Sequence, residues 1–203
     1  MSQYPPNKYN GTITAEQFLF YEIRIAARFY LDGVSVQSAI EQIREENLFQ
    51  YPTERLVARM VRSCYKRLDA LEDDQLRQEL AVAPPTIAKQ INLYAMMRYN
   101  RVVWDFMVGL IGEKFRSQDF DFSRKDLNVF FSRLQAQEDT VAGWTDKTIE
   151  KLKQVLTKLL IENEMLDTPR STRLNPPFLC DELEEGIRRN NDLEALAAFN
   201  CFR

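Results

Sequence analysis

The chain has 203 residues, 45% apolar and 28% charged, with a net charge of −3. At that length it holds one domain or two small lobes and buries roughly 70% of its unfolded surface. There is no histidine, which excludes Ser-His-Asp, Cys-His and histidine–metal arrangements, and Cys64, Cys180 and Cys201 stand far apart with no CxxC, which excludes a structural zinc site of the usual spacing.

Three scattered cysteines suit free thiols in a reducing compartment. The first six residues, Met1 to Pro6, have neither the basic nor the apolar region of a secretory signal. The most apolar window, Val102 to Ile111, contains Asp105 and lies between Arg101 and Glu113. It is about half the roughly 20 residues that a spanning helix needs. The expectation is a soluble, cytoplasmic protein that does not engage a membrane.

Helical periodicity dominates the chain. A first helix is expected over about 15–31, capped by Thr14, with Gln17 at the capping-box position and Gly33 as its stop. Its apolar residues, from Phe18 to Tyr30, cover almost every face, as in a helix at the centre of a bundle. Ser35 caps a second helix to about Glu46, with Val36, Ala39, Ile40 and Ile43 as its stripe. Asn47–Pro52 connects it to a third, about Thr53 to Leu71, and a short fourth spans about Asp73 to Ala83.

Pro84-Pro85 then breaks the chain, since two prolines fit only at a helix start. Thr86 to about Ser117 reads as one long helix, or two joined near Asn100, weakened at its end by Gly109 and Gly112. Ser123 with Asp126 resembles a capping box opening a helix to about Gln137. Gly143 breaks that helix, and Thr145 caps another to about Asn163. Met165–Leu174 reads as two short strands around a Pro-containing turn, a small β-hairpin near 166–174. Two short helices, about Asp181–Arg189 and Asp192–Phe199, finish the chain. The fold class expected is all-α: two packed helical lobes, 1–83 and 84–203, the first of them helix-turn-helix-like.

Catalysis finds little support. Without histidine a general base must be Asp, Glu, Lys, Tyr or Cys. Acidic pairs such as Glu45-Glu46, Asp73-Asp74 and Glu184-Glu185 sit at ordinary surface spacing. No phosphate-binding glycine loop and no nucleophile elbow occurs. No catalytic residue, cofactor, metal or small-molecule substrate is expected.

The third helix carries the most information. At about 100° per residue, Arg55, Arg59, Arg62 and Lys66 fall in one narrow arc, flanked by Arg67. Val57, Val61, Cys64 and Leu68 fall opposite. Glu54 is the only acid between Thr53 and Lys66. A cationic outer face on the second helix of a helix–turn–helix-like pair suits a reader of double-stranded DNA, because the guanidinium fork matches phosphate oxygens and guanine edges. The plainer alternative is a solvated face; such faces usually mix signs, as the second helix does. A further stripe, Lys147, Lys151 and Lys158, shares one face of the helix after Thr145, opposite Ile149, Leu152, Leu156 and Leu160. Arg170 and Arg173 follow in the expected hairpin.

An isoelectric point near 5.3 means that any nucleic-acid binding comes from local patches and is salt-sensitive. The clustered aromatics fall at helical spacing and read as core. Phe49 and Tyr51, in a polar loop, either staple that loop or serve a partner.

The run from Gly11 to Arg28 (GTITAEQFLFYEIRIAAR), followed by Glu45 to Pro52 (EENLFQYP) and the Arg-rich helix, resembles the BrxA family, accessory proteins of BREX bacteriophage-resistance systems. The resemblance extends over the whole chain and is most specific over 11–68. It implies a cytoplasmic, non-enzymatic component of a multi-protein system that marks host DNA by adenine methylation and blocks replication of unmarked phage DNA. It also implies an all-helical fold with some likeness to the antitermination factor NusB, DNA binding, and other BREX-type proteins as partners. The family's label as an inner-membrane protein conflicts with the hydropathy. It transfers no active site, so the DNA-contacting residues above come from the basic stripes. The rival reading is a protein–protein adaptor without DNA contact, using Phe49, Tyr51 and the acidic C-terminal helices; an RNA-binding role rests on the NusB likeness alone.

Overall fold

The structure, a computed structural model, describes residues 5–202. Among these residues it is all-α. A 3₁₀ turn at Thr12–Thr14 precedes α1 (Phe20–Leu31), α2 (Val36–Glu45), α3 (Glu54–Leu71), α4 (Asp74–Val82) and α5 (Pro85–Tyr99). Then come α6 (Arg101–Asp105), a π-helical stretch Phe106–Gly112, α7 (Glu113–Arg116), α8 (Arg124–Gln137), α9 (Asp139–Ala142), α10 (Asp146–Glu162), α11 (Asp181–Arg189) and a 3₁₀ helix Leu193–Phe199. No helix among the described residues is long and apolar enough to cross a membrane.

The caps expected at Ser35, Ser123 and Thr145 form, and Thr53 and Asp73, expected only as helix starts, cap as well. The side chains of Ser35, Thr53, Asp73 and Thr145 accept backbone N–H bonds at the starts of α2, α3, α4 and α10. Ser123 and Asp126 make the reciprocal capping box of α8. Asn100 breaks the long central helix. Its extended backbone ends α5, and its Oδ1 accepts from the N–H groups of Val102 (3.0 Å) and Val103 (3.3 Å) to start α6.

Three expectations are corrected. First, α1 begins at Phe20, not near Ala15, and no Thr14 cap forms: the Thr14 hydroxyl donates to the Gly11 carbonyl instead. The carbonyls of Glu16, Gln17 and Phe18 point to the guanidinium of Arg67, which holds this segment out of the helix. Second, α1 is not the central helix. Ile23, Ala26 and Ala27 are buried, but Tyr21 is 62% exposed. The central element is α5, in which every residue from Ile91 to Arg98 is buried against α1, α3, α4 and α11.

Third, the segment 166–174 is not a β-hairpin. A turn closes at Thr168–Ser171, and the return limb pairs elsewhere: the Phe122 N–H donates to the Thr172 carbonyl (2.9 Å) and the Leu174 N–H to the Phe120 carbonyl (2.7 Å). The bridge Asp121–Arg173 is isolated. Leu166 and Leu174 are both buried, and the limbs meet at their base, where the Asn175 N–H donates to the Met165 carbonyl (2.9 Å).

Pro84-Pro85 does break the chain, and Pro85 is the first residue of α5. The core nevertheless runs across the break, joining Leu71, Leu76 and Leu80 to Ala88, Ile91 and Tyr94 in one cluster. The C-terminal segment closes on the same core. Buried Arg98 of α5 pairs with Glu72 after α3 and with Asp192 (3.4 Å) before the last 3₁₀ helix. Gly112 lets that helix approach the π-helical stretch: a Cβ there would lie 2.9 Å from Ala197 Cβ.

Candidate functional site

The α3 helix divides its faces as its periodicity requires. Val57, Val61, Cys64 and Leu68 are buried against α1, α2 and α5. Arg55, Arg59, Arg62 and Lys66 are exposed, and none pairs with an acidic group among the described residues. Glu54, the acid at the start of the stripe, is occupied by Arg44 of α2 at 3.4 Å. Four cations thus share one helix face with no salt bridge among the described residues; Glu22 and Glu162 line the cleft of Arg59, and Asp69 the hollow of Arg62 and Lys66.

Arg67 does not belong to this face. It is 0% exposed and donates to the carbonyls of Phe18 (3.0 Å), Gln17 (2.7 Å) and Glu16. Asn92 of α5 donates to the same Phe18 carbonyl at 2.7 Å. Burial pulls the Arg67 guanidinium below its usual value. It is a structural clamp unavailable to a ligand. Helical geometry already sets it aside, on the flank shared by Met60 and Ser63, both buried.

On α10, Ile149, Leu152, Leu156 and Leu160 are buried, and Lys147, Lys151 and Lys158 are exposed. Lys158 donates to Gln17 Oε1 at 3.0 Å, a neutral partner. Four acids lie on or just after α10, Asp146, Glu150, Glu162 and Glu164, and two of them have partners: Glu150 pairs with Arg124 and with Lys153 (2.9 Å), and Glu162 lies 4.0 Å from Lys89. Arg170 and Arg173 are exposed; Arg173 lies over the Phe120 ring, 5.4 Å from its centroid.

The tertiary structure brings part of the two stripes together. Arg59 of α3 and Lys158 of α10 line one cleft of about 370 Å³, with Glu22, Tyr51, Met60 and Glu162. Lys158 also lines a second cleft of about 620 Å³ between α8, α10 and the 169–171 turn. Arg62 and Lys66 border a separate hollow beside Tyr30, Ser35 and Tyr65. Lys147 and Lys151 continue along α10 outside these clefts. The cations of the second cleft that periodicity did not single out are Arg124 and Lys153.

Phe49 and Tyr51 are a staple. Phe49 is 5% exposed, its ring 5.9 Å from that of Tyr51. The Tyr51 hydroxyl donates to Glu22, and burial together with that carboxylate raises the phenol above its ordinary value. Burial also pushes the Cys64 thiol up to about 12 and the Cys180 thiol to about 11, far from the lowered values of nucleophilic thiols.

Comparison with known proteins gives a consistent picture. The family model described as BrxA matches residues 7–191. The BREX protein BrxA of Bacillus cereus (strain H3081.97) is 32% identical over 185 residues, covering 91% of this chain and 92% of that protein. The BREX protein BrxA of Escherichia coli O9:H4 (strain HS) is 24% identical over 179 residues, covering 88% and 84%. A solved structure of an uncharacterized protein from Magnetospirillum magneticum shares the fold, with TM-score 0.81, 21% identity and coverage of 94% of this chain and 97% of that one.

Proposed function

The chain belongs to the BrxA family, and from that premise we propose that it is a non-enzymatic, cytoplasmic accessory protein of a BREX-type phage-defence system that binds double-stranded DNA mainly through phosphates. Other BREX proteins are its protein partners. The observation that carries the reading is the set Arg55, Arg59, Arg62 and Lys66: four exposed cations on one helix face with no acidic partner among the described residues. Buried Val57, Val61, Cys64 and Leu68 anchor the helix, so its cations are presented on a rigid element.

Guanidinium groups bond phosphate oxygens in pairs and are less strongly hydrated than ammonium. Contacts of this kind set register on a duplex and carry no sequence information of their own. Lys158 extends the surface beyond α3 because it shares a cleft with Arg59. Lys147, Lys151, Arg170 and Arg173 form the outlying part. The acidic balance of the whole chain confines attraction to these patches.

The test is fluorescence anisotropy of the purified chain with a labelled duplex of about 30 base pairs, titrated over a salt series. Affinity is expected to fall steeply with salt, each phosphate contact adding about 0.9 to the slope. The double variant R59E/R62E is expected to bind every sequence more weakly. No binding at low salt, or unchanged affinity in a folded double variant, overturns the reading and leaves the adaptor role.

A further inference from the structure

The geometry points to a second binding site, for a short apolar segment of a partner protein that carries carboxylates, in the cleft between α8, α10 and the 169–171 turn. The cleft measures about 620 Å³, within the ~300–1,000 Å³ range that encloses a drug-sized ligand, so it holds a few side chains. Its floor is carbon: half-buried Ile161 and exposed Pro169, beside Leu127, Leu166 and Phe122, which are buried. Phosphates gain nothing from such a floor, and the one aromatic ring, Phe122, is 4% exposed and offers no face for a base.

The cleft is built rather than collapsed. Lys153 of α10 reaches Asn128 of α8 at 2.7 Å, and Arg124 pairs with Glu150, so two polar contacts bridge the helices at the surface. The opposite wall is fixed by Phe122 N–H to the Thr172 carbonyl and Leu174 N–H to the Phe120 carbonyl. The rim is positive. Arg124 and Lys153 together outweigh Glu150, and Glu162 has Lys89 beside it. Lys158 donates to neutral Gln17 and has no acidic partner among the described residues, and exposed Arg170 sits in the chain between lining residues Pro169 and Ser171. An apolar floor under an excess of cations selects side chains to bury and acids to pair.

The site shares Lys158 and Arg170 with the surface proposed for DNA, and the experiment separates the two ligands through Thr157→Trp, which leaves every proposed DNA-contacting cation in place. A phage-displayed library of random peptides is panned on the full-length chain and counter-selected on Thr157→Trp, which fills the cleft from a half-buried position and leaves the α3 stripe untouched. Enriched peptides are expected to combine apolar residues with Asp or Glu. In anisotropy they should lose at least tenfold in affinity for Thr157→Trp and for Lys158→Glu/Arg170→Glu, each variant being checked for an unchanged melting curve. Duplex binding by Thr157→Trp is expected to match the parent chain. The proposal is overturned if no peptide depends on the open cleft, if the enriched peptides lack acids, or if filling the cleft weakens duplex binding instead.

Discussion

Arg59 on α3 and Lys158 on α10 line the same cleft, although they come from distant parts of the sequence and from two separate basic stripes. A ligand lying across that cleft meets cations from both helices at once. A single phosphate backbone can then engage α3 and α10 together. Lys147 and Lys151, further along α10, would meet it only if it follows that helix.

R59E and K158E are accordingly expected to weaken duplex binding individually, each lowering the salt slope by about one contact's worth, ~0.9. K147E is expected to have a smaller effect than K158E. Anisotropy over a salt series reads both quantities, and an effect of K147E equal to that of K158E contradicts the shared cleft.

Arg67 is expected to behave unlike its helix neighbours. Arg67→Met removes the donor from the carbonyls of Glu16, Gln17 and Phe18. The Phe18 carbonyl keeps its bond from Asn92 and the carbonyls of Glu16 and Gln17 are only partly buried, so the loss is about 1–3 kcal/mol, read as a lowered denaturation midpoint. Arg62→Met, on the exposed face, is expected to change stability by less than about 0.5 kcal/mol. Equal melting curves for the two variants would remove Arg67 from its clamp role.

Gly186 of α11 is required by close packing on α4. A Cβ there would lie 2.5 Å from Leu76 Cδ1, and Leu76 is fully buried. Gly186→Ala should cost about 1–3 kcal/mol. Combined with Leu76→Ala, it should cost less than the two separate losses added together. Strict additivity in urea denaturation would show that Leu76 moves aside freely.

Asp73 supplies a pH-dependent term. It caps α4 through the Leu76 N–H (2.8 Å) and receives Arg189 Nε (2.6 Å) and Nη2 (3.2 Å). Burial pushes its carboxyl up, but the Arg189 guanidinium and the backbone N–H bonds outweigh burial and hold it below the usual carboxylate value. Protonation is therefore harder in the folded chain. The contribution is complete above the unfolded value of about 3.9 and is lost as pH falls through the lower folded value. Asp73→Asn retains a capping oxygen but removes the charge. Its thermal midpoint should lie below the parent's at neutral pH, with the gap narrowing under acid. A gap that stays constant on acidification contradicts this assignment.

The helices were largely legible because local chemistry and periodicity agree. Ser35, Thr53, Asp73, Ser123 and Thr145 cap where hydroxyls and carboxylates precede apolar periodicity. Asn100 and Pro85 break the chain where backbone geometry requires it. The start of α1 was not legible, because the group that overrides its N-terminal propensity is Arg67, which arrives from α3. The segment 166–174 was misread for a similar reason: its pairing partner, 120–122, lies far back in the sequence.

The candidate site divides along the same line. The opposition of Arg55, Arg59, Arg62 and Lys66 to Val57, Val61, Cys64 and Leu68 follows from helical period, since one helix cannot turn both sets inward. The sequence by itself thus determined an all-α chain with a one-sided basic helix, and its resemblance to BrxA. Only the tertiary structure decided that Arg67 is spent on backbone carbonyls, that Glu54 is taken by Arg44, that Arg59 meets Lys158, and that Arg124 and Lys153 border an open apolar cleft. Each of these depends on which groups long-range packing brings within a few ångströms, and a helical period carries no information about the neighbour on the other side.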